Sequence, residues 1–247
     1  MIDPRPAAIR QRTGGIRRVI AVTGGKGGIG KSTVAAVFAL VLARAGTKAG
    51  LLDLDLTGPC GHLFLGGTGP FPEEKHGLVP PEIAGVRFMS VAHFSGERPA
   101  PLRGKEVTGA LLEILTITRW PEVDTLVVDM PPGLGDATLD LMRILPQAGF
   151  LVVSTPSTVV VRTVRRTVEM LKTANAEVLG VLENMARTEG SSVQAMAERM
   201  QVPYLGAVPL DDALEPAIGD PERLTQTKVA GALRSVAGRL EKGVRFI

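Results

Sequence analysis

The sequence predicts an α/β fold, a three-layer sandwich with a mainly parallel central sheet. From Arg18 onward, apolar runs of strand length alternate with amphipathic stretches of helix length. Several of those runs are continuous Val/Ile/Leu without polar alternation, the pattern of strands buried on both faces. Hydrophobic residues make up 45% and charged residues 21% of the 247 residues, which argues against a disordered chain or a coiled coil. Aromatics are only 4%, so aliphatic side chains must fill the interior.

Taken in order, residues 1–17 read as a flexible basic arm, because Pro4, Pro6, Gly14 and Gly15 punctuate a segment carrying Arg5, Arg10, Arg12 and Arg17. Residues 18–247 read as a single domain. Strands are predicted at 19–23, 48–53, 86–91, 125–129, 150–154, 178–182 and 204–208. Helices are predicted at 31–45, 106–118, 137–145, 159–174 and 193–200, with a last one near 226–242. Strand, helix, strand repetition implies crossover units with helices on both faces of the sheet. Residues 58–85 are rich in Gly and Pro without a clear period, and read as a long surface excursion.

Composition also bounds the function. The single cysteine, Cys60, excludes a disulfide framework, a four-cysteine zinc site and an iron–sulfur cluster held by one chain. No apolar run approaches the roughly 18 residues of a membrane span, and the N-terminus carries no secretory segment, so a cytoplasmic location is expected. The net charge of +3 is concentrated in the arm, and the rest of the chain is nearly neutral. His62, His76 and His93 lack metal-ligand spacing.

The chemistry lies first in Gly25-Lys26-Gly27-Gly28-Ile29-Gly30-Lys31-Ser32, which fits G-x-x-x-x-G-K-[ST], follows a predicted strand and opens a predicted helix. Glycines let backbone N–H groups wrap phosphate oxygens, and the helix N-terminus adds favourable partial charge. Lys31 is expected to bridge the outer phosphates, Ser32 to bind Mg²⁺, and Thr33 to add a hydroxyl to an inner phosphate. Asp53-Leu54-Asp55 ends the second predicted strand and Asp129 ends 125–129, where ligands bind in such sheets. Asp129 fits the pattern of a hydrophobic strand ending in a Mg²⁺-holding aspartate.

Lys26 places a second lysine in the loop, and the run resembles the deviant Walker A loop of the MinD, ParA and nitrogenase iron protein families, P-loop NTPases of the SIMIBI type. That resemblance implies a homodimer in which Lys26 reaches the phosphates bound by the other subunit, and assigns Asp55 to orienting the attacking water. Asp129-Met130-Pro131-Pro132-Gly133-Leu134-Gly135-Asp136 resembles switch II of the Mrp/NBP35/ApbC family, ATPases that carry or assemble iron–sulfur clusters. Supporting matches are Gly58-Pro59, Arg103-Gly104, Trp120, Asp124, Gly180-Val181-Leu182-Glu183-Asn184-Met185 and Leu205-Gly206-Ala207-Val208-Pro209-Leu210-Asp211. The resemblance implies ATP and Mg²⁺ as cofactors and a metallocluster client or scaffold protein as partner. It also implies an adenine contact from Asn184, for which a buried cap is the competing account, and a base-flanking position for Pro209. No N-K-x-D guanine motif is present.

One departure stands out. The family places a C-x-x-C pair shortly after the E-N-M segment, whereas here Glu183-Asn184-Met185-Ala186-Arg187-Thr188-Glu189-Gly190 has no cysteine. Cys60, where the family has serine, reads as a small packed thiol. The leading expectation is an ATP-driven switch in iron–sulfur cluster assembly or transfer. The alternative is a MinD/ParA-like spatial organiser that binds membrane or DNA in its ATP state. A membrane would be met by the basic amphipathic stretch 228–242, which reads more simply as a packed edge helix. Nucleic acid would be met by the arginine arm, which lacks interleaved aromatics.

Overall fold

A computed structural model of the protein describes residues 3–56, 58–95, 105–133, 136–187 and 192–241. Its strands are β1 (Arg18–Gly24), β2 (Ala49–Asp53), β3 (Glu73–Glu74), β4 (Leu78–Val79), β5 (Glu82–Ile83), β6 (Val86–Ser90), β7 (Thr125–Asp129), β8 (Ala148–Ser154), β9 (Glu177–Ala186) and β10 (Tyr204–Pro209). Eight form one sheet in the order β10-β9-β8-β1-β7-β2-β6-β5, and every neighbouring pair is parallel except β5 with β6. All seven strands expected from the apolar runs are present. Residues in β2, β7 and β8 are buried throughout, which explains their unalternated sequences.

The helices are α1 (Arg5–Thr13), α2 (Lys31–Arg44), α3 (Gly61–Leu65), α4 (Ala92–Ser95), α5 (Lys105–Ile117), α6 (Asp136–Ile144), α7 (Thr158–Thr173), α8 (Ser192–Arg199), α9 (Pro221–Leu224) and α10 (Lys228–Glu241). From β1 the chain steps through α2 toward β2, but from β8 it steps through α7 the other way. Right-handed crossovers therefore put these two helices on opposite faces. α10 packs on α2, while α5 and α6 pack together on the other side, as do α7 and α8. α2 is apolar all round, with residues 34–42 buried, as a helix between a sheet and a second helix must be. α10 spends its apolar face the same way, burying Val229, Leu233 and Val236, so that face is not free for a lipid surface. Among the described residues no helix is long and apolar enough to cross a membrane.

Two expectations change. Residues 5–13, expected to be a mobile arm, form α1, which packs on α5 and α6. Ile9 is fully buried, and Thr13, one turn further along the same helix face, and Ile16, in the segment after the helix, are nearly so. Pro4 and Pro6 mark the helix start, where a missing N–H costs nothing. The 58–85 stretch is also more ordered than its composition suggests. It contains α3, with Phe64 and Leu65 buried, a small β3–β4 hairpin, and β5 pairing antiparallel to β6. Elements of two residues cannot show a period.

Because Ile9 has no exposure, Ile9→Ala is expected to cost about 2–4 kcal/mol in urea unfolding of the intact chain. An unchanged midpoint would mean that α1 is not part of the core.

Candidate functional site

The central strand β1 ends at Gly24, and residues 25–30 turn over its end into α2. Gly28 and Gly30 have φ of 76° and 80°, in the left-handed region that side chains disfavour. Gly30 is constrained twice, because a Cβ there would lie 2.3 Å from the Asn184 side-chain nitrogen. Asn184, buried on β9, donates from Nδ2 to the Ile29 carbonyl at 2.9 Å. Among the described residues, no backbone carbonyl accepts from the N–H groups of residues 26–33. Gly27 and Gly28 have open space before them. The turn is therefore a row of uncommitted donors at a helix N-terminus, which is what an anion with several oxygens requires.

The two loop lysines lie in different environments. Lys31 is buried, with 6% of its surface exposed, whereas Lys26 is exposed and has no polar partner among the described residues.

Strand register brings the carboxylates together. β2 and β7 are neighbours, and Asp53 pairs with Asp129 at their C-terminal ends, so both side chains leave the same face of the sheet. Asp53 is fully buried and tied to its own loop. Its Oδ1 accepts from the Asp55 N–H at 3.1 Å and its Oδ2 from the Gly61 N–H at 3.0 Å. Burial pushes Asp53 up to about 6, against the pull of those backbone donors. Asp129 is equally buried, but neither of its oxygens has a hydrogen-bond partner. Burial, followed by the Asp53 carboxylate, pushes it up to about 8, against the opposing pull of Ser32 and Lys31.

Asp55 is half-buried beyond the end of β2 and accepts at Oδ1 from the Gly58 N–H at 3.1 Å. Cys60 caps the start of α3 beside Ser32 and the aspartates, and burial pushes its thiol up.

The structure thus gathers Lys31, Ser32, Asp53, Asp55, Cys60 and Asp129 around the mouth of the phosphate loop. Asn184 sits beneath that loop, with its amide already engaged, in the manner of the buried cap. Pro209 ends β10 opposite Ala186 of β9, at the same rim of the sheet. Arg103, Gly104, Leu134, Gly135, Thr188, Glu189, Gly190 and Lys242 lie outside the described residues.

Two roles were not read from the sequence. Asp53 anchors the loop that carries Asp55, and its signal was the first acid of Asp53-Leu54-Asp55. Thr163 of α7 packs against the loop so closely that a Cβ on Gly25 would come within 2.8 Å of it, a contact with no sequence signal.

A divalent cation fits this arrangement. Asp129 is a buried carboxylate with no donor, next to a hydroxyl at the first turn of α2. Among the described residues no cluster of three His, Cys, Asp or Glu could hold a metal by itself.

The raised Asp129 fixes a sign. Its folded value lies above the ordinary 3.8. Its contribution to stability is therefore complete below about pH 4 and is lost as pH rises through about 8. Asp129→Asn is expected to raise the melting temperature of the nucleotide-free protein by about 5 °C at pH 8.5 and by much less at pH 5. Scanning calorimetry at the two pH values checks this, and a gap that narrows toward high pH would contradict it.

Comparison with known proteins agrees with this geometry. Residues 15–241 match the family model described as ParA: NUBPL iron-transfer P-loop NTPase. A Pseudomonas fragi protein named iron-sulfur cluster carrier protein is 45% identical over 175 residues, covering 69% of this chain and 61% of that protein. The human cytosolic Fe-S cluster assembly factor NUBP2 is 37% identical over 222 residues, covering 81% of this chain and 82% of that protein. The chain thus spans less than two thirds of the length of the first relative but most of the second. Among solved structures, a nucleotide-binding protein from Archaeoglobus fulgidus in complex with ADP superposes with a TM-score of 0.70 at 28% identity, covering 93% of this chain and 92% of that one. With the motif on its expected strand and helix and the match running through nearly the whole sheet, the chain belongs to the ParA family of NUBPL iron-transfer P-loop NTPases.

Proposed function

We propose that this chain is a Mg²⁺-dependent ATPase that closes as a homodimer on its nucleotides and acts as an ATP-driven switch in iron–sulfur cluster assembly or transfer. The observation that carries the reading is the division between its two loop lysines, Lys31 buried beside the aspartates and Lys26 exposed without a partner of its own. Family membership and the cluster-carrier names of the relatives support the cluster role.

In this reading the N–H groups of Gly27, Gly28, Gly30, Lys31 and Ser32 cradle the phosphates, with Gly25 and Ile29 shaping the turn. Lys31 neutralises the outer phosphate oxygens, and Thr33 reaches an inner one. The Ser32 hydroxyl and Asp129 hold Mg²⁺. When bound, Mg²⁺ offsets charge on the phosphate oxygens. Asp55 orients the attacking water, and Asp53 positions Asp55 through the hydrogen bond to its N–H. Lys26 supplies a cation to the other subunit's terminal phosphate, as a trans-acting arginine does elsewhere. Asn184, whose Nδ2 is engaged by the Ile29 carbonyl, borders the base through its side-chain oxygen, and Pro209 flanks it. Loss of the terminal phosphate releases the loop after β2, the order-to-disorder device of nucleotide switches.

The cluster itself is cargo that this chain's thiols do not fit. Clusters take about four ligands, two copies of the chain offer two cysteines, and Cys60 sits half-buried among the aspartates. Cluster ligands are therefore assigned to a partner protein, with this chain driving its conformational cycle.

Two measurements test these statements. Lys31→Ala should abolish ATP binding. Lys26→Ala should retain ATP binding but lose ATP-dependent dimerisation and roughly 10²–10³-fold in turnover, read by sizing chromatography and phosphate release. Equal turnover of wild type and Lys26→Ala would end the trans role. After anaerobic reconstitution and desalting, wild type should retain no more iron than Cys60→Ser, and a stable visible chromophore that depends on Cys60 would reverse the assignment of the cluster ligands.

A further inference from the structure

Away from the nucleotide site, α7 and α8 enclose a cavity of about 760 Å³. Arg162, Arg165 and Arg166 of α7 and Arg199 of α8 line it, with Glu169 as the one acid on its wall. Arg165 pairs with Glu169 at 3.6 Å. Arg162, Arg166 and Arg199 are exposed and have no polar partner among the described residues. Three uncommitted guanidinium groups thus face one groove of an otherwise nearly neutral body. The floor is apolar, made of Val161, Met196 and Met200, and methionine adapts to varied apolar shapes.

We propose that this groove docks an acidic segment of a partner protein whose carboxylates alternate with aliphatic side chains. Planar guanidinium groups take carboxylates in a two-pronged fashion, and the methionine floor accepts aliphatic side chains between them. No aromatic side chain lines the cavity, so it offers no platform for stacking nucleic-acid bases. Charge complementarity therefore favours an acidic polypeptide.

The groove and the phosphate loop share α7. Thr163 lies next to Arg162 on α7 and is the residue packed against Gly25. Occupancy of the loop is expected to alter affinity in the groove, a coupling that rests on the nucleotide role proposed above. Docking without nucleotide does not rest on it.

The probe is a fluorescent 15-residue peptide of glutamate and leucine in two-to-one alternation, titrated with the full chain and read by fluorescence anisotropy. The comparison probes are an all-glutamate peptide and a 15-nucleotide single-stranded DNA. The expected result without nucleotide is saturable binding of the mixed peptide, at least fivefold tighter than that of either comparison probe. Arg162→Glu with Arg166→Glu should weaken it at least tenfold, and Arg199→Glu, on the other wall, should weaken it independently. Arg44→Glu, on the opposite face of the sheet, should change it less than twofold. The proposal is overturned by absent binding, by equal binding to the charge-reversed proteins, by all-glutamate binding as tight as that of the mixed peptide, or by tighter binding of DNA. It is also overturned if the double reversal abolishes ATP-dependent dimerisation, since the groove would then seat a second copy of the chain. A peptide affinity that holds but ignores ATP would leave the docking site standing and remove only the coupling.

Discussion

Two adjacent parallel strands end in aspartates that register side by side, and one of them, Asp129, is buried without a donor. An uncompensated buried carboxylate is costly, and a second one beside it raises the cost. Asp53 meets this by accepting from its own loop, which in turn holds Asp55 in place. Asp129 has no such backbone donors; Ser32 and Lys31 offset its cost in part, and the rest depends on what arrives at the mouth of the phosphate loop. The site is electrostatically incomplete by construction, and a cation or a proton completes it. Stability is thereby exchanged for a responsive centre, as happens at many functional sites.

The phosphate loop shows the opposite economy. Its backbone donors are left uncommitted, but its path is over-determined. Asn184 holds the Ile29 carbonyl from beneath, Gly30 fits only because it lacks a side chain, and Thr163 presses on Gly25. Two strands and two helices thus meet at one turn. β9 and α7 are therefore the elements in direct contact with whatever rearrangement accompanies a change in what fills the turn.

The chain's place in cluster chemistry follows from what its cysteine does. Cys60 lies at the start of α3, near Ser32 and three carboxylates, with its thiol pushed up by burial. Such a group is a poor thiolate donor. Family membership in the iron-transfer branch and the lack of a C-x-x-C are reconciled if this chain acts on a cluster that another protein holds.

Much of this was legible in the residues. Unalternated Val/Ile/Leu runs marked the sheet, the Gly25–Ser32 motif marked the phosphate turn, and the aspartates at strand ends marked its rim. Periodicity and short-range motifs report local geometry, which the backbone imposes residue by residue. The burial of α1 was less legible, because Ile9 and Thr13 make only one turn of buried face between prolines and glycines, and Ile16 lies past the helix end. Tertiary structure alone decided that Asp53 and Asp129 face each other, that Asn184 braces the loop 155 residues away, and that arginines from α7 and α8 share one groove. Those pairings depend on strand order and crossover hand, which bring together side chains far apart along the chain and leave no mark on the local pattern.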